Sequence, residues 1–461
     1  MTAQQPGPAT SRMPKVVGPR SRPLLIGLSL VVFANALAAC GGSPTPSRTK
    51  TVTATPGTTS AVGATATATG TATGTGTGTG TAAPTGAPSV SPTSRVLAIA
   101  GGQFHSCALL RLGTVKCWGS DYGGALGNGS LTTGPTPTPV AVSGVGEATA
   151  ITAGGNPTAF GYQDSCALLA GGTVTCWGSN VGGQLGNPAI PRNQSAVPVR
   201  AIGISGASEI SANEGHACAL LAGGTVKCWG SNASGMLGVG TNTLLSATPV
   251  TVGGLSGVAA VATGYLHTCA LLSTGTVKCW GSNGAGMLGN TDIASYSSTP
   301  VDVTGLTGVT AIAVGSAHAC ALLVAGTVEC GGNASTGALG NGDTTRAFSP
   351  TPVPVAGLSG VSAITASSSH SCALLAVGTV WCWGGNANGQ LGPSHSVGVS
   401  SPIPLPVGTL SGVSAFSAAE NHTCALLVSG TVSCWGNNTA GELGGGSSDT
   451  NSSTPVNVTG L

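Results

Sequence analysis

Charge and aromatic rings are both scarce in this chain. Charged residues make up 6% of it and aromatic residues 3%, where an average globular protein carries about 25% charged residues. Such a thin supply cannot coat the surface, so Thr, Ser, Asn and backbone groups must provide most of its polarity. That disfavours a charged helical bundle, a coiled coil and a typical cytosolic enzyme. Basic clusters are missing as well. Half of the 14 Lys and Arg lie at or before Arg95, all 12 acidic residues follow it, and the balance from Val96 onward is −5. Neutralising nucleic-acid phosphates takes clustered cations, so no nucleic-acid partner is expected.

Catalytic signatures are absent too. No His precedes Glu and no Gly precedes Lys, which excludes H-E-x-x-H and the Walker-type phosphate loop. No G-x-S-x-G elbow occurs. The expectation is a protein without enzymatic activity, catalytic residues, metal or cofactor.

Glycine and cysteine are abundant: 77 and 15 residues, the latter an odd number. The first surplus cysteine has an address. A basic stretch precedes a low-polarity run at 24–39, followed by Cys40-Gly41-Gly42-Ser43. Sixteen residues is short for a membrane span, which needs about 20; the pattern is that of a secretory signal. Leu37-Ala38-Ala39-Cys40 resembles the bacterial lipobox, which implies a signal peptide at 1–39 and a lipid anchor on Cys40. Residues 40–94 are rich in Thr, Gly, Ala and Pro with little to bury. Such a segment cannot offset its ordering entropy and reads as a disordered tether carrying a folded domain, 95–461, off a membrane at the cell envelope.

The remaining 14 cysteines fall in seven pairs, each ten positions apart: Cys107 and Cys117, Cys166 and Cys176, Cys218 and Cys228, Cys269 and Cys279, Cys320 and Cys330, Cys372 and Cys382, Cys424 and Cys434. Successive pairs are offset by 59, 52, 51, 51, 52 and 52 residues. A period near 50 signals a propeller or solenoid. Each unit reads close to H-x-C-A-L-L-x-x-G-T-V-x-C-W-G, then G-S-N-x-x-G-x-L-G, a variable polar segment, Pro-Val-x-Val and Gly-Val-x-Ala-Ile-Ala. Two short β-forming runs flank three residues that end in Gly, a three-residue hairpin with a left-handed last position. Symmetric pairing about that loop sets Cys218 opposite Cys228 and Leu220 opposite Val226, all on one face. Opposed residues lie within disulfide range, so one bridge per hairpin is expected in an exported domain. The competing zinc reading takes His216, Cys218 and Cys228 as ligands. Unit two opposes it, since Asp164 replaces the His while Cys166 and Cys176 remain.

Four short strands per unit and no helical periodicity make the domain all-β: a seven-bladed β-propeller of four-stranded antiparallel blades. The chain opens on an A-I-A strand and closes just after Pro455-Val456-Asn457-Val458. The first strand is therefore expected to close the ring by pairing with the last unit, leaving no long open edge.

The motifs H-x-x-A-L, G-x-V, W-G-x-N and G-Q-L-G resemble the regulator of chromosome condensation repeat. The likeness runs from Val96 to the end and is best preserved in Cys176-Trp177-Gly178-Ser179-Asn180 and Gly183-Gln184-Leu185-Gly186. The cysteine-paired form looks like the variant of exported bacterial members. Unit five departs from the pattern, with Gly331 where the others carry Trp118, Trp177, Trp229, Trp280, Trp383 and Trp435; unit two has extra residues at 156–162. The eponymous member's roles, nucleotide exchange on a small GTPase and chromatin docking, need a cellular interior. A secreted propeller that inhibits β-lactamases through loop aromatics is the nearer analogue.

The repeated histidines (His105, His216, His267, His318, His370, His422) are expected to hydrogen-bond backbone at turns; the other reading rings a channel with them around an anion or metal. Repeated Trp residues read as packing. Binding is expected at variable positions, because repeats place their variable loops on one face: Phe160, Tyr162, Tyr265, Tyr296, Phe348 and His395. The sequence thus describes a monomeric, surface-displayed scaffold that binds a protein or glycan, with a small-GTPase exchange factor, an inhibitor of a secreted enzyme and an unrecognised hydrolase as alternatives.

Overall fold

A computed structural model describes residues 95–132, 134–155, 163–213, 215–241, 243–408 and 410–461. Cys40, the expected signal and tether, Phe160 and Tyr162 lie outside the described residues. The described chain forms seven antiparallel sheets of four strands, each a simple meander. Blade one comprises Val96–Gly101, His105–Leu110, Val115–Ser120 and Pro135–Ala141, and blade seven comprises Val413–Ala418, His422–Leu427, Val432–Gly436 and Ser452–Asn457. First strands of adjoining blades touch all round the ring. They run toward a crowded axis, and Ala is frequent in them, as in VLAIAG and VAAVAT. Fourth strands are half-exposed along their length and form the periphery.

The hairpin register is as the spacing predicts. Cys218 faces Cys228, Leu220 faces Val226, and Leu221 faces Thr225, leaving a three-residue tip. Its last residue, Gly224, has φ +78°. In blade one the tip glycine carries a second constraint, because a Cβ on Gly113 would come 2.5 Å from Glu147 Cα in the loop leading to the next blade. All seven pairs are bridged, with Cα atoms 4.0 to 4.1 Å apart. The sulfurs lie inside the interblade cores. Cys166, Leu168, Val174, Cys176 and Leu185 of blade two pack with Ala212, Ala217, Ala219 and Trp229 of blade three.

Ring closure corrects the sequence expectation. The first strand pairs with His105–Leu110 of its own blade, and the last blade supplies four strands of its own. Each blade takes as its own first strand the Ala-Ile-Ala-type run that precedes its H-x-C motif, so blade boundaries fall one strand earlier than the repeat unit and no strand is exchanged. The seam closes by packing instead: Val96, Ile99, Leu110 and Trp118 meet Cys424, Leu426, Val432 and Leu443. Gly101 N donates to Ser417 Oγ at 2.9 Å, and Trp118 Nε1 donates to the Glu442 carbonyl at 2.8 Å.

Candidate binding face

The meander sends two sets of loops out of the same end of every blade: those joining first to second strands and those joining third to fourth strands. Variable residues therefore gather at one end of the ring. Tyr265, half-buried, lies between the first two strands of blade four. Tyr296 and Phe348 open the fourth strands of blades four and five, opposite Ser282 and Asn333. They are 49% and 47% exposed. Leu244, 76% exposed, precedes the corresponding strand of blade three. His395 does not join this set: it is buried in the blade-six loop, and burial lowers its pKa. It plugs the loop, so it is withdrawn as a contact residue.

Sequence reasoning passed over two aromatic residues at this end. Phe104 and Tyr122 line a cleft at the seam together with Ser120, Gly134, Pro135, Thr439 and Ala440. Phe104 occupies the position held by Gln163, Gly215 and Leu266 in the next units, so the rule of variable positions would have selected it.

Beneath the loops runs a buried polar layer. The histidines bond the next blade's hydroxyls, rather than backbone at a turn. His105 Nε2 meets Ser165 Oγ at 2.8 Å, His216 Nε2 meets Thr268 Oγ1 at 2.9 Å, and His370 Nε2 meets Thr423 Oγ1 at 3.0 Å. Around the seam His422 Nε2 meets Ser106 Oγ at 2.8 Å. Thr423 Oγ1 then donates to the Gln390 carbonyl at 3.0 Å, which also accepts Trp435 Nε1 at 2.9 Å. A hydroxyl that donates to the carbonyl must accept from the ring, so Nε2 carries the proton, and burial favours the neutral ring. Burial agrees, holding His105 and His318 at about 4 and His216, His267, His370 and His422 at about 3. Five of the six rings are committed to sideways contacts and do not converge on one ion. No group of three or more His, Cys, Asp or Glu among the described residues has the geometry for a metal.

Folding also brings carboxyl groups into this layer. Burial pushes Asp164 up to about 8, eased by Gln184 and the Gly215 amide. Glu420 is pushed up to about 8 by burial, with Gln103 opposing and Glu442 adding to it. Glu442 rises to about 7 by burial. Glu420 and Glu442 adjoin the seam cleft, since Gln103 precedes Phe104 and Ala440 N donates to Glu442 Oε2 at 2.9 Å. Glu442 takes the place of Gln184 and Gln390, whose Oε1 atoms accept Gly182 N and Asn388 N at 2.9 Å. Its carboxyl braces the same turn.

Comparison with known proteins agrees with this architecture. The RCC1-like domain model matches residues 157–461, and the regulator of chromosome condensation (RCC1) repeat model matches residues 96–124. Ultraviolet-B receptor UVR8 of Arabidopsis thaliana is 30% identical over 362 residues, 78% of this chain and 80% of that protein. The human probable E3 ubiquitin-protein ligase HERC6 is 32% identical over 243 residues, 51% of this chain but 24% of that much longer protein. Among solved structures, Prp20p of Saccharomyces cerevisiae superposes with TM-score 0.65 at 21% identity, over 78% of this chain and 87% of that one. Human WBSCR16 gives 0.65 at 22% identity, over 74% and 94%. With seven concordant repeats, seven four-stranded blades and a family model matching most of its length, the chain belongs to the RCC1-like domain family.

Proposed function

We propose that this chain is an exported, non-enzymatic binding scaffold that holds a protein on the loop end of its propeller. The observation carrying this reading is the set Leu244, Tyr296 and Phe348, all large, apolar and about half or more exposed on three successive blades at one end. Aromatic side chains contribute most of the energy at protein interfaces, and a footprint three blades wide suits a protein surface better than a short glycan. Prp20p, a structural neighbour, is described with binding properties to Gsp1p and histones, which supports protein binding as a use of this fold. Seven disulfides favour an oxidising compartment, and the lipobox-like Leu37-Ala38-Ala39-Cys40 favours anchoring at the cell envelope.

The test is crosslinking capture at the surface of intact cells, with the wild-type chain and a Tyr296→Ala, Phe348→Ala double variant. The variant should recover at least tenfold less of the captured protein; equal recovery would sink the assignment of this face. Protease shaving of the same cells should remove the propeller, and Cys40→Ser should release it to the medium. A propeller resistant to shaving would favour the intracellular exchange-factor alternative. A hydrolytic reading would rest on Glu420 and Glu442 beside the seam cleft. The hydrogen bond that ties Glu442 into its turn favours the binding reading.

A further inference from the structure

The two ends of the ring differ in charge and in what they expose. Hairpins joining second to third strands, and the links between blades, leave by the end opposite the binding loops. Of the Lys and Arg from Arg95 onward, most lie in this hairpin half: Arg95, Arg111, Lys116, Arg200, Lys227 and Lys278. Fewer acidic residues accompany them there, namely Glu147, Glu209, Asp302 and Glu329. In the loop half Arg192 and Arg346 are outnumbered by acidic residues such as Asp121, Asp292, Asp343 and Asp449. Positive charge therefore gathers at one end of a domain whose balance is negative.

The hairpin tips sort into two arcs. The turn itself requires only the Gly at its last position. Blades two and three carry Ala-Gly-Gly at 170–172 and 222–224, and blade four carries Ser-Thr-Gly at 273–275. Blades five, six, seven and one instead place Val324, Val377, Val428 and Leu112 in their tips. These four blades are neighbours, because the seam packs seven against one. Leu112, Val324 and Val377 are 84%, 80% and 77% exposed, above every other large apolar side chain among the described residues. Their apolar character serves no internal packing. Trp381, also at the hairpin end of blade six, is the one tryptophan of 7 that is not fully buried. The described chain enters the ring at this place: the Arg95 carbonyl accepts Arg111 N at 2.8 Å, beside Leu112.

We propose that the hairpin end is a membrane-contact face, with Leu112, Val324 and Val377 dipping into the interface of an anionic bilayer and Arg95 and Arg111 meeting its headgroups. Interfacial binding of this kind combines apolar side chains in the headgroup boundary with attraction between basic groups and anionic lipid, and tryptophan favours the same depth. This orientation rests on the envelope-anchored reading above and deepens it. Residues 40–94 would reach about 180 Å at full extension, so an anchor on Cys40 does not by itself say which end meets the lipid. Contact through the hairpin end turns the loop end, with Tyr296 and Phe348, outward to a partner.

The test places the purified full chain on vesicles of phosphatidylglycerol and phosphatidylethanolamine with brominated acyl chains, which quench tryptophan only where it touches lipid. Val377→Trp and Val399→Trp add a probe at exposed positions on opposite ends of blade six. Measured against the parent chain, the probe at 377 should lose more than half of its emission and the probe at 399 none. Adding Leu112→Ser and Val324→Ser should at least halve the quenching at 377, and so should exchanging phosphatidylglycerol for phosphatidylcholine. Intact mass of the same preparation reads the acyl group on Cys40 separately: a chain that lacks it yet is quenched at 377 keeps this face and loses the anchor. The proposal fails if the probe at 377 is not quenched, if the probe at 399 is quenched equally, or if quenching ignores the serine substitutions or the lipid charge.

Discussion

At the scale of single residues, the repeat writes a hydrogen-bond code across blades that no unit shows alone. The residue after each repeated His, or after Asp164, decides whether the preceding blade's ring is satisfied. Ser106, Ser165, Thr268, Ser371 and Thr423 satisfy it; Ala319 leaves His267 unpaired. In blade three the residue is Ala217, and there the preceding blade carries Asp164 in place of a His, its carboxyl pushed up by burial. Restoring the missing hydroxyl with Ala319→Ser should stabilise the fold by about 1 kcal/mol, the net value of an ordinary hydrogen bond. Thr423→Ala should do the reverse and cost about 1–3 kcal/mol, because it strands a buried ring. Denaturant midpoints of the two variants check both signs; a destabilised Ala319→Ser chain would overturn the code. Sequence spacing shows that these histidines recur, but not what they bond. Their partners lie 50 to 60 positions away on the next blade, and local pattern gives no view across a junction.

At the scale of the element, the cysteine-bridged hairpin was the most legible part of the chain. Ten-residue spacing, a terminal loop glycine and alternation together specify one register, because a shift by one residue would turn both cysteines to the opposite face. Replacing Cys218 and Cys228 together by Ala should cost about 2–3 kcal/mol from the loop-entropy relation for a closed loop of this size. The bridge lies in a junction core between two blades, so lost packing adds to that figure. Thermal melts under oxidising conditions check it, and an unchanged midpoint would mean that the bridge adds nothing to blade packing. Intact mass checks the pairing itself: seven bridges remove fourteen hydrogens from the reduced chain. The loop elements were less legible. Variable position identified Tyr265, Tyr296 and Phe348 at the correct end, yet the same rule admitted His395, which is buried. Variability marks where the fold tolerates change, whereas exposure depends on how each loop folds over itself.

At the scale of the whole molecule, closure and protonation are collective. Each blade is built from four consecutive strands, so the seam is a seventh copy of the ordinary junction, and its strength rests on side chains such as Trp118 and Ser106. The outer strands remain open edges, blunted by prolines such as Pro139, Pro198, Pro300 and Pro455, which carry no N–H for a neighbour to pair with. The buried polar layer gives this ring a pH optimum. Six histidines are held near 3 to 4 when folded, against about 6.5 when unfolded. Their depressed values mean that the unfolded chain binds more protons below about pH 6.5, so stability falls as pH drops through that range. Asp164, Glu209 and Glu420 near 8 and Glu442 near 7 have the opposite sign. Folded, they keep protons that the unfolded chain has released above about pH 4, so they withdraw stability as pH rises toward their folded values. Between about pH 4 and 6.5 the six rings outnumber the four carboxyls, and stability climbs with pH; above it only the carboxyls still titrate, and stability declines until about pH 8. The melting temperature should therefore peak near pH 6.5 and fall on both sides. Glu420→Gln should flatten the alkaline limb and steepen the acid limb, and His267→Gln should soften the acid limb alone. A melting temperature that keeps rising from pH 6.5 to 8 would show that these carboxyls ionise freely in the folded ring.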